Sequence, residues 1–138
     1  MYKKILCMAT AFMLCTNIAF ANPKQSINDV ETISNSLNTI YLAVLQGKDI
    51  NSIKKDITFI QSELNRERDE ILHEIPNYES KEKQKSIYFS LLSVLNHYQI
   101  SILELEDYHK TNNHQSLISA ISELNNGNLM LGTIKSKL

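Results

Sequence analysis

The stretch that decides the fold is residues 80–110, SKEKQKSIYFSLLSVLNHYQISILELEDYHK. Tyr88, Leu91, Leu95, Tyr98, Ile102, Leu105 and His109 recur at steps of three and four. That spacing is the seam of a helix packed against other helices, because positions three and four apart share a face. Ile87, Leu92, Val94 and Leu103 widen the seam to about half the circumference at 100° per residue. A surface helix needs an apolar stripe of only about 100°. This helix is therefore expected at the centre of a small bundle, covered by more than one neighbour.

Three more helices are read on either side of it. The first, about residues 26–46, carries Val30, Ile33, Leu37, Ile40 and Val44, with Tyr41 beside them. Gly47 follows as a left-handed cap, and Asp49 or Ser52 can cap the next start. The second, about 49–74, has the seam Ile50, Ile53, Ile57, Ile60, Leu64 and Ile71, and Glu67 falls where an apolar residue is due. Pro76 and Asn77 mark a turn, after which Asn77 or Ser80 caps the third helix, about 80–110. The fourth, about 114–137, presents Leu117, Ile118, Ile121 and Leu124, with Leu129, Leu131 and Ile134 resuming burial at the edges. Between these groups Asn125-Asn126-Gly127-Asn128 weakens the pattern, so a kink or break is expected at Gly127, which costs about 1 kcal/mol relative to alanine inside a helix. Four helices with short connections give an all-α, antiparallel up-down-up-down four-helix bundle. The alternative is a homodimer that exchanges two helical hairpins.

The beginning of the chain reads differently. Met1-Tyr2-Lys3-Lys4 is basic, Ile5 to Ile18 is mostly apolar, and Ala19-Phe20-Ala21 has small residues where a signal peptidase cuts. The apolar run is short of the roughly 20 residues a membrane span needs. Pro23 is expected to block helix continuation into the exported part. Residues 1–21 are thus read as a cleaved signal peptide and residues 22–138 as the working domain, exported by a bacterium to the periplasm or the exterior. The other reading keeps the leader as a membrane anchor.

Composition narrows the function classes. Both cysteines, Cys7 and Cys15, lie in the leader, so the exported domain has no thiol, disulfide or cysteine ligand. Cleavage removes Lys3 and Lys4, so basic residues fall from 14 to 12 against 15 acidic ones and the net charge is near −3. This argues against nucleic acid and against anionic membranes as partners, and no stable membrane insertion is expected after cleavage. There is no Cys-x-x-Cys-His haem motif, the serines lack a recognisable catalytic motif, and Gly47, Gly127 and Gly132 are too dispersed for a phosphate loop. An enzyme is not expected.

Two polar constellations remain. Glu70/His73 and Glu106/His109 each place a carboxylate and an imidazole three apart, an element that di-iron bundles also use. The two pairs end different helices of an antiparallel arrangement, however, and lie roughly 35–40 Å apart. One pole, by contrast, gathers Glu106, His109, His114 and Asp49, a donor set that suits a single zinc ion. The bland account of that pole is polar residues where helices emerge into water. The second constellation is Glu67, Asn125, Asn128 and Tyr88, read either as a small-ligand pocket or as a polar layer that fixes helix register. His97, opposite the seam, is read as solvent-exposed. Phe59, Leu72, Phe89, Ile100 and Met130 are apolar residues off the seams. They point to a protein-interaction module (an adaptor, chaperone-like factor or inhibitor) as the leading function. A ligand or metal sensor is the alternative, and no resident cofactor is required.

Overall fold

The computed structural model describes residues 22–78 and 81–138. Over these residues the chain is all-helical: α1 Pro23–Leu45, α2 Ile50–Glu74, a 3-10 turn Ile75–Tyr78, α3 Glu82–Thr111 and α4 His114–Lys135. The leader read at residues 1–21, and Ser80 as a cap, lie outside the described residues. No described helix is long and apolar enough to cross a membrane.

Local chemistry sets the helix ends. Pro23 does not delay α1. It occupies the first turn, with the Asn22 side chain accepting from Lys24 N at 3.1 Å. Proline suits that position because its missing N–H would have no helical partner there. Asp49 caps α2 in the same way through Asn51 N, and Asn113 caps α4 through Gln115 N. Gly47 sits at φ 81° and Asn112 at φ 54°, the left-handed geometry that ends helices. α3 starts at Lys81 without a side-chain cap.

α3 packs against each of the other three helices, and α1 does the same. α2 and α4 have no close backbone approach among the described residues. α1 and α3 thus form an inner pair with α2 on one flank and α4 on the other. Tyr88, Leu91, Val94, Leu95, Tyr98, Ile102 and Leu105 of α3 are all essentially inaccessible to solvent. They meet Val30, Leu37 and Tyr41 of α1 and Leu64 and Ile71 of α2 in one core. The α3 stripe is narrower than its sequence suggests: Ile87 and Leu92 are half-buried, and Leu103 is 52 % exposed. One face of α3 stays open to solvent, because three neighbours do not close the full circumference.

α4 departs furthest from expectation. Its buried residues are Ser116, Ala120, Leu124, Gly127, Leu131 and Ile134. Ile118 is 59 % exposed and Leu129 72 %, although both were read as core or core edge. The helix also runs unbroken through Gly127. There is no kink, because Gly127 is a packing position. The ring of Tyr98 lies directly on it, and a methyl group there would meet Tyr98 Cδ1 at 2.8 Å and Cε1 closer still. One turn further on, Ser101 Oγ donates to Ala120 O at 2.8 Å. Small residues let α3 and α4 approach closely, and that approach turns the small face of α4 inward.

Gly127→Ala should therefore destabilise the protein by about 1–3 kcal/mol through overpacking, despite the better helix propensity of alanine. Gly132→Ala, where nothing lies within 4 Å of the added carbon, should stabilise it by about 0.4–1 kcal/mol. Urea melts of the two variants check the opposite signs.

Candidate functional site

The polar residues fall into three separate settings. The first is a layer that joins α1, α3 and α4. Asn128 Oδ1 accepts from Ser34 Oγ at 2.6 Å and from Tyr98 Oη at 2.9 Å, while Asn128 Nδ2 donates to Asn38 Oδ1 at 3.3 Å. Burial pushes the Tyr98 hydroxyl above its usual range. A second such contact lies nearby: Tyr41 Oη is 2.7 Å from both Ser101 O and Ser101 Oγ, and burial pushes the pKa of its hydroxyl up too. These bonds tie helix to helix and leave little capacity for a ligand. Ser101 and Ser34 had no signal in the sequence, since a serine on a seam looks like a gap in the pattern. Asn125, grouped with Asn128 in the sequence, is exposed on another side of α4.

The second setting is Glu67. It is wholly buried, and neither carboxyl oxygen has a hydrogen-bond partner. Its neighbourhood is Ser26 and Asp29 of α1, with Arg66 and Glu70 on its own helix. Along α1, Ser26 and Asp29 lie five to twelve positions before Ser34 and Asn38, about 8–18 Å from the Asn128 layer at 1.5 Å per residue. Glu67 and Asn128 are therefore not brought together. Tyr88 is fully buried on the α3 side, with its ring packed 5.4 Å from that of Tyr78 in the 3-10 turn. Burial first of all, then the negative charge of Asp29 and Glu70, pushes the Glu67 carboxyl from 4.5 up to about 8. Arg66 opposes this only weakly, because its guanidinium is engaged by Glu63 at 3.1 Å and Glu70 at 2.6 Å.

The third setting is the pole read as a metal site. Three of its four residues have other contacts. Asp49 caps α2, Glu106 accepts from Gln61 Nε2 at 3.0 Å, and the His114 ring lies 5.7 Å from that of Tyr108. His109 and His114 are exposed. Among the described residues no three histidine, aspartate or glutamate side chains stand where one metal ion could be held. Asp107, which the sequence did not single out, accepts from Ser116 Oγ at 2.5 Å and so links α3 to α4. His97 is not simply solvent-facing: its Nδ1 lies 2.6 Å from Glu123 Oε2, and both side chains are more than two-thirds covered.

Surface relief is found between α3 and α4. Two adjoining hollows of about 440 and 410 Å³ share Ser86, Ser90 and Met130. Phe89 and Ser93 wall one; Ile87, Leu129 and Ile134 wall the other. Neither is lined by Glu67 or Asn128. Phe89 and Met130 thus share a cleft. Ile100 lies three turns further along the same face of α3, outside it.

The orphaned carboxyl sets a pH dependence. The unfolded chain ionises Glu67 at about 4.5 and the folded one at about 8, so between those values the folded state holds the extra proton. Its contribution to stability is whole below pH 4.5 and declines as the pH rises to 8, by on the order of 4 kcal/mol in all. Glu67→Gln should lack this decline, and Glu67→Leu should be neutral or stabilising at pH 8. Denaturant midpoints across pH 4–9 for the three proteins provide the check.

Compared with family models, curated proteins and solved structures, the chain matches none of them.

Proposed function

We propose that this chain is an exported protein-interaction module of the bacterial envelope or exterior, serving as an adaptor, chaperone-like factor or inhibitor. In this reading residues 1–21 are a cleaved leader, and residues 22–138 form an antiparallel up-down-up-down bundle. The helix directions draw support from side-chain pairing. Glu31 with Lys135 and Ser34 with Asn128 run in opposite order along α1 and α4. Tyr98 with Asn128, Ser101 with Ala120, and Asp107 with Ser116 do the same along α3 and α4.

The observation that carries the functional reading is the cleft between α3 and α4. Apolar side chains scattered singly over a surface carry no meaning, whereas several walling one concavity mark a place that another molecule covers. Phe89 is 51 % exposed and Leu129 72 %, and Ile87 and Met130 join them there. The polar constellations support the ligand-sensor reading less well, since Asn128 is bonded to Ser34, Asn38 and Tyr98, and neither Asn128 nor Glu67 lines the two hollows between α3 and α4. We assign the module no catalytic role.

A photo-crosslinking amino acid at position 129 should give one defined protein adduct in the native envelope or medium, and the same group at exposed Lys55 on α2 should not. Absence of an adduct at position 129, or equal adducts at both positions, would overturn the interaction reading.

A further inference from the structure

We propose that the α3–α4 cleft docks an amphipathic helix of a partner protein whose apolar ridge is flanked by acidic side chains. The proposal rests on the interaction reading above and names the chemistry of the partner.

The walls of the cleft define the ridge. Phe89, Leu129 and Met130 are its large apolar lining residues, and between them lie the small residues Ser86, Ser90 and Ser93 of α3. These serines do not demand a polar guest. Ser90 Oγ donates to Ser86 O at 2.9 Å, and Ser93 Oγ donates to Phe89 O at 3.2 Å. Thr133 on the opposite wall likewise donates to Leu129 O at 2.9 Å. With the Ser90, Ser93 and Thr133 hydroxyls turned onto their own helices, the cleft offers methylene surface between its apolar side chains. Side chains at i, i+3 and i+7 of a docked helix fit such a groove.

The charges define the flanks. Lys83, Lys85 and Lys137 line the cleft, against a single acid, Glu82, which sits in the first turn of α3 where a negative charge favours the helix N-terminus. Among the described residues none of these three lysines makes an ion pair, whereas Lys135 nearby is held by Glu31 at 2.5 Å. The rest of the exported chain has a surplus of acid. A basic rim on an acidic protein selects an acidic partner by complementarity and repels a basic one. A lipid surface fits less well, since the apolar groups line a concavity and the chain as a whole carries negative charge.

The test uses the chain in its exported form and three fluorescent helical peptides with one leucine pattern and flanks of all Glu, all Gln or all Lys. Vesicles of phosphatidylglycerol form a fourth arm. The Glu-flanked peptide should bind at least about tenfold tighter than the Lys-flanked one. The gap should close in about 1 M salt, where charges are screened beyond about 3 Å. Lys83→Glu with Lys137→Glu should reverse the order of the peptides. Phe89→Ser with Leu129→Ser, two exposed positions, should abolish binding of every peptide while leaving the helical circular dichroism unchanged. Equal binding of the Glu and Lys peptides, no binding of any peptide, or binding to vesicles in preference to peptides would overturn the proposal. An adduct at position 129 that forms equally well in the Lys83→Glu, Lys137→Glu chain would also overturn it, and would leave the interaction reading standing.

Discussion

The close approach of α3 to α4 is the constraint on which the rest of the molecule depends. Tyr98 lies with its ring on the bare backbone of Gly127, and Ser101 reaches the carbonyl of Ala120. The first contact leaves no room for a Cβ at Gly127. Each contact also locks a neighbour. The Tyr98 hydroxyl, once the ring is seated, meets Asn128, which collects Ser34 and Asn38 from α1. The Ser101 backbone and hydroxyl are met by Tyr41, again from α1. One tight helix pair thus fixes the register of a third helix through two buried polar contacts. Polar contacts of this kind add modest net stability, but a slipped register would leave their groups unpaired at greater cost.

Glu67 is built on the opposite principle. A buried carboxyl with no hydrogen-bond partner costs free energy and specifies no register, and the protein accommodates it by keeping it protonated. Arg66, one residue before it, would be the natural counter-ion. Consecutive residues of a helix point about 100° apart, however, and Arg66 turns outward to Glu63 and Glu70. Glu67 is thus left beside Asp29 and Glu70, whose charge adds to the effect of burial. The end of the core that holds Ser26, Glu67 and Tyr88 is for this reason where a change of pH is expected to act on the packing.

The sequence and the structure agree where burial is carried by large residues. The seams of α1, α2 and α3 contain Ile, Leu, Val and Tyr at helical spacing, and those residues are the core. They diverge where burial is carried by small ones. Ser116, Ala120 and Gly127 carry almost no hydrophobic weight, so a pattern scored on apolar character rotates α4 toward Leu117, Ile118 and Leu129 instead. The same blindness hid Ser34 and Ser101. Glu67 was visible as a break in the α2 seam, but its grouping with Asn125 and Asn128 failed. The α1 neighbours of Glu67, Ser26 and Asp29, precede Ser34 and Asn38 by about one to three turns, and axial position along three helices is not readable from one-dimensional spacing. At the pole, Asp49 serves as a cap, Glu106 accepts from Gln61 and His114 lies beside the Tyr108 ring, tasks that residue spacing does not reveal.

The rotation of α4 also links the core to the surface. At 100° per residue Leu129 lies about 200° from Gly127, and Ile118 about 180° from it. Once Tyr98 requires Gly127 inside, both large residues must face away from the core, and both are exposed. Met130, about 60° to the other side of Gly127, ends at the rim where α4 meets α3, opposite Phe89. The apolar cleft is therefore the outer face of the same arrangement that makes the helix pair tight. A protein selected for stability alone could replace Leu129 and Ile118 with polar residues at no cost to the core, since neither touches it. Apolar groups kept on the face that the packing turns outward are the physical reason the docking surface proposed above is set there.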